Sequence, residues 1–229
     1  MAKSECSIEL ARFRRCESQI TINLREHKNR INEWRSEMKK IIAALRVSLD
    51  GLIEGPNGEL DWVAEWSEDF EMLNQIDTCI LGAGMYPGYE QYWTAILANP
   101  EDILSFTGRS ATKGEIAYAR FADRTPHVVL STTLDKAEWK TSRIVRDVNE
   151  IRNMKHQPGK SMYAIGGATL VSSLINLDLI DELRLLVHPI VLGEGKALFK
   201  DVKERHELKL LQAQPLKSGL VNLIYTIQS

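Results

Sequence analysis

The chain has 229 residues, 44% of them hydrophobic and 26% charged, with a formal net charge of −2 and a pI near 6.2. These totals place it among soluble globular proteins of one domain, or one domain with an extension, and no apolar run approaches the roughly eighteen residues of a membrane span. The charge balance leaves no footprint for nucleic acid, and Cys6, Cys16 and Cys79 contain no C-x-x-C that would suggest a disulfide framework or a metal site.

Charge is uneven along the chain. Residues 1–40 carry ten Lys/Arg against six Asp/Glu, a net of +4, and the remainder a net of −6, which marks the first forty as a separate segment. Within it, 17–38 read as a helix with Ile20, Leu24, His27, Ile31, Trp34 and Met38 on one face and mostly charged residues on the other. Such a basic amphipathic helix can lie on a membrane surface or bind a partner. The preferred reading is that it packs on its own protein or on a second subunit. With no apolar signal core at the N-terminus, a cytoplasmic protein is expected. The expected division is an extension over 1–37 and a folded domain over 38–229.

From Met38 the pattern changes. Lys40–Val47 reads as a buried strand ending in Ser48-Leu49-Asp50-Gly51, and a helix is predicted over Trp62–Gln75. Asp77–Gly82 is a second strand meeting the turn Gly82-Ala83-Gly84, followed by an aromatic, helix-like segment with Tyr86, Tyr89, Tyr92 and Trp93. Residues 99–126 form a long excursion with a short helix near Gly114–Phe121, and such excursions are often functional. Then come a third strand at His127–Ser131, a short fourth at Ile144–Arg146, and a helix at Asp147–Lys155. The strand Tyr163–Gly167 runs straight into a helix at 168–176. Asp181–Val187 continues as a strand towards Pro189, and Glu207–Gln214 with Val221–Gln228 reads as an antiparallel hairpin. Strands alternating with helices, then a hairpin, predict an α/β fold whose central sheet is mostly parallel.

The junction at Gly166-Gly167 has two readings. It is either a bare strand-to-helix turn or a phosphate cradle, where glycines admit a ligand to the backbone and a helix N-terminus offers N–H groups and a positive dipole end. Asp50 is likewise either a turn-forming residue before Gly51 or a carboxylate at the mouth of the sheet, placed to contact substrate and supply a proton.

Taken together, Ser48-Leu49-Asp50-Gly51, Leu81-Gly82, Leu130-Ser131, Gly166-Gly167-Ala168-Thr169-Leu170, and Asp181–Leu185 running to Pro189–Gly195 resemble a known set. They are similar to the reductase domain of the riboflavin-pathway bifunctional deaminase-reductase and its stand-alone dihydrofolate-reductase-like relatives, over about residues 38–228. No deaminase zinc motif accompanies them. The resemblance implies a dihydrofolate-reductase-like fold and an NADPH-dependent reductase, with NADH as an alternative cofactor. It would reduce a small heterocyclic or ribosylamino-pyrimidine substrate, as 5-amino-6-(5-phosphoribosylamino)uracil reductase does in riboflavin biosynthesis. It further implies that the pair Gly166-Gly167 carries a cis peptide and that Gly167, Ala168, Thr169 and Leu170 hold the pyrophosphate. Gly82, Ile165 and Gly166 fall with them in the cofactor site, Leu130 and Ser131 near the adenosine ribose and 2′-phosphate. Ala44 and the Ser48, Asp50, Gly51 loop line the nicotinamide and substrate, with Asp50 as the catalytic candidate. A homodimer is implied too, with Leu183–Leu192 as the candidate interface.

Three positions depart from the family pattern. Gly82-Ala83-Gly84-Met85 stands where relatives carry Gly-Arg-x-Thr, so an arginine for the 2′-phosphate and a threonine for the pyrophosphate are missing; Lys113, Arg109 and Arg143 are the candidate replacements. Ile165 replaces a glutamate common in riboflavin-pathway members. Trp62-Val63-Ala64-Glu65-Trp66 lacks the proline of dihydrofolate reductases proper. The alternatives to the main reading are a dihydrofolate or pterin reductase, and a nucleotide-binding sensor with little turnover.

Overall fold

An eight-residue strand, β1 (Ile41–Ser48), runs through the interior of the central sheet in this computed structural model. Its apolar run is continuous because both faces are covered: Ile41, Ala43, Leu45 and Val47 enter one core, Ile42 and Ala44 the other. The structure describes residues 38–63, 66 and 72–228. The chain divides into two compact units, Met1–Met38 and Lys39–Ser229. All that follows concerns the second unit, and the helix predicted over 17–38 lies outside the described residues except for Met38.

Five further parallel strands complete most of the sheet: β3 (Ile76–Gly82), β4 (His127–Leu130), β5 (Ser142–Val145), β6 (Ser161–Ile165) and β7 (Glu182–His188). Two antiparallel strands, β9 (Glu207–Pro215) and β10 (Val221–Gln228), extend it beyond β7, giving the order β5-β4-β3-β6-β1-β7-β10-β9. A separate two-stranded ribbon pairs β2 (Leu52–Glu54) with β8 (Lys196–Ala197). Helices α1 (Tyr86–Ala98) and α2 (Lys113–Arg124) bury Tyr89, Trp93, Tyr118 and Phe121 on one face of the sheet. Helices α3 (Val148–Lys155) and α4 (Ala168–Ile175) bury Ile151, Val171 and Leu174 on the other. This is the predicted α/β arrangement, with a mostly parallel sheet between helices and an antiparallel C-terminal pair. No described helix is long and apolar enough to cross a membrane.

Several expectations need correction. Of the helix predicted over Trp62–Gln75, residues 64, 65 and 67–71 lie outside the described residues; Trp62, Val63, Trp66 and Met72 are not helical, and Leu73–Gln75 form a 3₁₀ turn. No peptide bond among the described residues is cis. Gly167 is extended (φ −78°, ψ −177°) and caps α4, so a trans peptide suffices for the turn. In the candidate interface Leu183–Leu192, Leu183 and Leu186 are fully buried on β7 between β1 and β10, whereas Pro189 and Val191 are exposed. The large exposed leucines of the C-terminal strands, Leu208, Leu210 and Leu211, sit on the edge strand β9 instead.

Candidate active-site cleft

The strands β1, β3 and β6 end on the same edge, where ligands bind in open α/β sheets. A cleft of about 1220 Å³ opens there, somewhat larger than the usual small-molecule site of about 300–1,000 Å³. Ala44 and Arg46 of β1, Tyr163 and Ile165 of β6, the turn Gly166–Leu170 and the start of α1 all face it. Ile53, Glu54 and Lys196 of the ribbon form one wall, and Val63, Trp66, Tyr92, Leu104 and Phe106 an apolar and aromatic one.

Helix ends distinguish this edge from the rest of the molecule. α2 and α3 begin with capped N-termini: Thr112 accepts from Glu115 N at 3.1 Å, and Asp147 accepts from Asn149 N at 2.9 Å. α1 and α4 begin with Met85 and Gly167, and neither has a side-chain cap. Both of these open on the cleft, which Met85, Gly88, Gly167, Ala168, Thr169 and Leu170 line. Orphan first-turn N–H groups and two positive dipole ends therefore converge on one space, an arrangement suited to phosphate oxygens.

The glycines fit this arrangement for different reasons. A Cβ on Gly166 would come within 2.6 Å of Leu170 Cδ2 and 3.0 Å of Leu170 Cβ, so this glycine lets α4 approach the strand. A Cβ on Gly84 or Gly88 would meet nothing within 4 Å, and both residues face the cleft. There the missing side chains leave room for a ligand. The floor is phenolic. Tyr163 Oη donates to the Ala44 carbonyl (3.4 Å), and Tyr89 Oη lies 3.1 Å from Tyr118 Oη and 3.3 Å from His127 Nε2. Burial lowers the His127 pKa to about 4, so the imidazole is neutral at physiological pH.

Residues 39–222 match the family model of the RibD C-terminal domain. The chain belongs to the RibD C-terminal domain family. It is 36% identical over 191 residues to the uncharacterized protein YyaP of Bacillus subtilis, covering 82% of this chain and 95% of that one. Its fold is shared with the deaminase/5-amino-6-(5-phosphoribosylamino)uracil reductase of Thermotoga maritima (TM-score 0.54, 16% identity, 84% of this chain and 58% of that one). It is shared as well with dihydrofolate reductase from Enterococcus faecalis, solved with NADP(H) (TM-score 0.52, 15% identity, 83% and 97%).

Within this RibD C-terminal domain the predicted site residues fall into three groups. Ala44, Gly82, Ile165, Gly166, Gly167, Ala168, Thr169 and Leu170 line the one cleft. Leu130 and Ser131 stand at the same sheet edge, with Leu130 in register beside Gly82, but outside the lining. The Ser131 hydroxyl oxygen accepts from Thr133 N (3.2 Å) and Leu134 N (2.8 Å), while Arg146 Nη1 donates to the Ser131 carbonyl at 3.0 Å. Of the cations considered as replacements, Arg109 pairs with Glu115 and Arg143 with Glu150. Arg146, which sequence reasoning passed over, is the one bonded at Ser131.

Ser48, Asp50 and Gly51 form the third group and do not line the cleft. The Asp50 carboxylate accepts from Ser48 Oγ (2.6 Å), Leu192 N (3.2 Å) and Gly193 N (2.8 Å). Gly51 sits at φ +81° and its N–H closes the turn on Ser48 O. The motif at 48–51 and the motif at 189–195 are thus two halves of one clasp. The Ser48 hydroxyl and the two backbone N–H groups hold the Asp50 pKa at about 2. Asp50 thus stands outside the cleft lining, held by the loop at 189–195 rather than aimed at the cleft. Since the folded pKa lies below the ordinary 3.8, Asp50 stabilises the fold above that value and the contribution fades as pH falls towards 2. The Asp50→Asn variant is therefore expected to melt below wild type at pH 7, with the gap between their thermal midpoints closing between pH 4 and pH 2.

Proposed function

We propose that this protein is a nicotinamide-dinucleotide-dependent reductase of the riboflavin-pathway type, acting on a small heterocyclic substrate, with NADPH as the cofactor. Family membership supports oxidoreductase chemistry, and one observation carries the cofactor: the two uncapped helix N-termini, of α1 and α4, both open on the cleft. A bound nicotinamide would supply the hydride. The protein's part is positioning, with the N–H groups of residues 168–170 for phosphate and the β1 and β6 ends for the ring. Tyr163 places a protic side chain on the floor beside Ala44, where the resemblance puts the nicotinamide. Arg146, at the end of β5, offers a guanidinium beside Ser131 for a 2′-phosphate, in place of the arginine missing at Ala83.

Titration of the protein with NADPH, followed by its fluorescence, tests the reading, and absence of binding by either NADPH or NADH at millimolar concentration overturns it. A carboxylate placed at the cradle makes the test site-specific. Thr169 is exposed in the first turn of α4, where an acidic residue favours the helix itself by about 0.3–1 kcal/mol. Thr169→Glu is therefore expected to leave thermal stability unchanged or slightly raised. Repulsion of phosphate should at the same time weaken NADPH binding about tenfold or more, or ~1.4 kcal/mol.

A further inference from the structure

Among the described residues lining the cleft, the cationic side chains are Arg46 and Lys196. They occupy different walls. The Arg46 guanidinium carbon lies 5.5 Å from the centre of the Trp66 ring, whereas Lys196 projects from the β2–β8 ribbon, with its ammonium 2.8 Å from the Glu54 carboxylate. The ribbon is seated against the glycine turn. A Cβ on Gly167 would lie 4.0 Å from Ile53 Cδ1, and Gly195 packs directly on the backbone of Glu54. Lys196 thus stands on a ribbon whose Ile53 reaches the glycine turn, with an acid sharing its space.

The pair is poorly shielded: the Lys196 side chain is 37% exposed and that of Glu54 29%. Ion pairs this open contribute little to stability. A phosphate group meeting both an ammonium and a helix N-terminus is a stronger partner for the lysine than one half-exposed carboxylate. Ala83 and Met85 stand where relatives carry arginine and threonine, so the cleft lacks that source of positive charge, and Lys196 is a cation of the same lining.

We propose that Lys196 binds the diphosphate bridge of the dinucleotide and that Glu54 competes with the nucleotide for it. The inference rests on the reading that the cleft takes such a nucleotide, and it adds a residue pair that sets the affinity. Glu54 holds Lys196 in place when the cleft is empty and gives it up when phosphate arrives. Removing the acid should strengthen binding, and removing the base should weaken it.

The test uses the full chain, with NADPH followed by fluorescence and inorganic pyrophosphate followed by calorimetry. Lys196→Gln is expected to weaken both ligands about fivefold to tenfold and to make binding less sensitive to salt. Lys196→Arg should stay within about twofold of wild type, since the charge is kept. Glu54→Gln should tighten both about twofold to fivefold, and the double variant should behave as Lys196→Gln. A purely structural role for the pair would move Glu54→Gln and Lys196→Gln in the same direction. Weaker binding by Glu54→Gln, or unchanged binding by Lys196→Gln, overturns the proposal. If Lys196→Gln disturbs the fold, the sign of the Glu54→Gln effect still decides. Pyrophosphate binding that depends on Lys196, without NADPH binding, would overturn the dinucleotide reading and the assignment of its bridge, while leaving Lys196 as a ligand of diphosphate. Binding of neither ligand by wild type would remove both.

Discussion

Replacing Glu115 by glutamine is expected to destabilise the protein by about 1.5–3 kcal/mol, because a fully buried carboxylate loses its charge-assisted bonds and buried donors lose their acceptor, while Arg109 is partly exposed. Glu115 has no exposed surface, and its carboxylate gathers bonds from four separate places. Arg109 donates from Nη1 (2.8 Å) and Nη2 (3.1 Å), Thr112 N at 2.9 Å, Trp66 N at 3.1 Å and Tyr92 Oη at 3.0 Å. Glutamine keeps one acceptor oxygen and turns an N–H₂ towards groups that are themselves donors. Burial pushes the Glu115 pKa up, but the Arg109 guanidinium and the hydrogen bonds from Thr112, Trp66 and Tyr92 outweigh it and hold the pKa at about 2. A folded pKa below the ordinary 4.5 means the stabilisation is complete above that value and is lost as pH falls through about 2. Denaturant unfolding of both proteins from pH 7 to pH 2 should show a large gap that narrows below pH 4.5. The consequence reaches function, because Trp66, Tyr92 and Phe106 belong to the aromatic wall of the cleft and touch through ring contacts of 5.8–5.9 Å. Glu115→Gln should therefore also weaken ligand binding at neutral pH under conditions where the variant is still folded.

Glu115 also illustrates which parts of the structure were legible in the sequence. The helix predicted near Gly114–Phe121 is α2, and Glu115 completes the capping box with Thr112 at its start. Nothing local shows that the same carboxylate reaches Trp66, 49 positions away. The strands β1, β3 and β6 were legible because strands buried on both faces read as continuous apolar runs. β5 was placed two residues late because Ser142 and Arg143 belong to an edge strand with little apolar signal. The ribbon strands, of three and two residues, are too short to carry a pattern at all. The cradle at Gly166–Leu170 could be read from one stretch because a strand, a turn and a helix N-terminus are contiguous there. Asp50 could not be read that way. Its partners at Leu192 and Gly193 lie 142 and 143 positions on, so the clasp this motif forms between two loops has no local signal. Lys196 and Arg146 were missed for the same reason: a lone cation acquires meaning only from the wall or strand end opposite it.

The ribbon that positions Lys196 depends on Gly195, and Gly195→Ala should be among the most damaging small substitutions in the molecule. Gly195 sits at φ +150°, a conformation that costs a side-chain-bearing residue about 1–3 kcal/mol. Space is the second obstacle, because an added Cβ would fall on the carbonyl oxygen of Glu54, with the Gly55 Cα also in contact. Neither obstructing atom is the end of a flexible side chain, so the strain cannot be relieved by a rotamer change, and β2 and β8 must part. Gly193 provides the control. It too has a positive φ, +78°, but a Cβ there would meet nothing within 4 Å. Gly193→Ala should carry only the backbone cost of about 1–2 kcal/mol, and Gly195→Ala clearly more, as measured by the shift of the denaturant midpoint at constant slope. The two should also differ in binding. Parting the ribbon moves Ile53, Glu54 and Lys196 away from the glycine turn, so Gly195→Ala should weaken NADPH binding even where the protein remains folded. Gly193→Ala strains a loop outside the cleft lining and should bind as wild type does. Equal losses of affinity in both variants would show that the ribbon's contact with Glu54 does not shape the site.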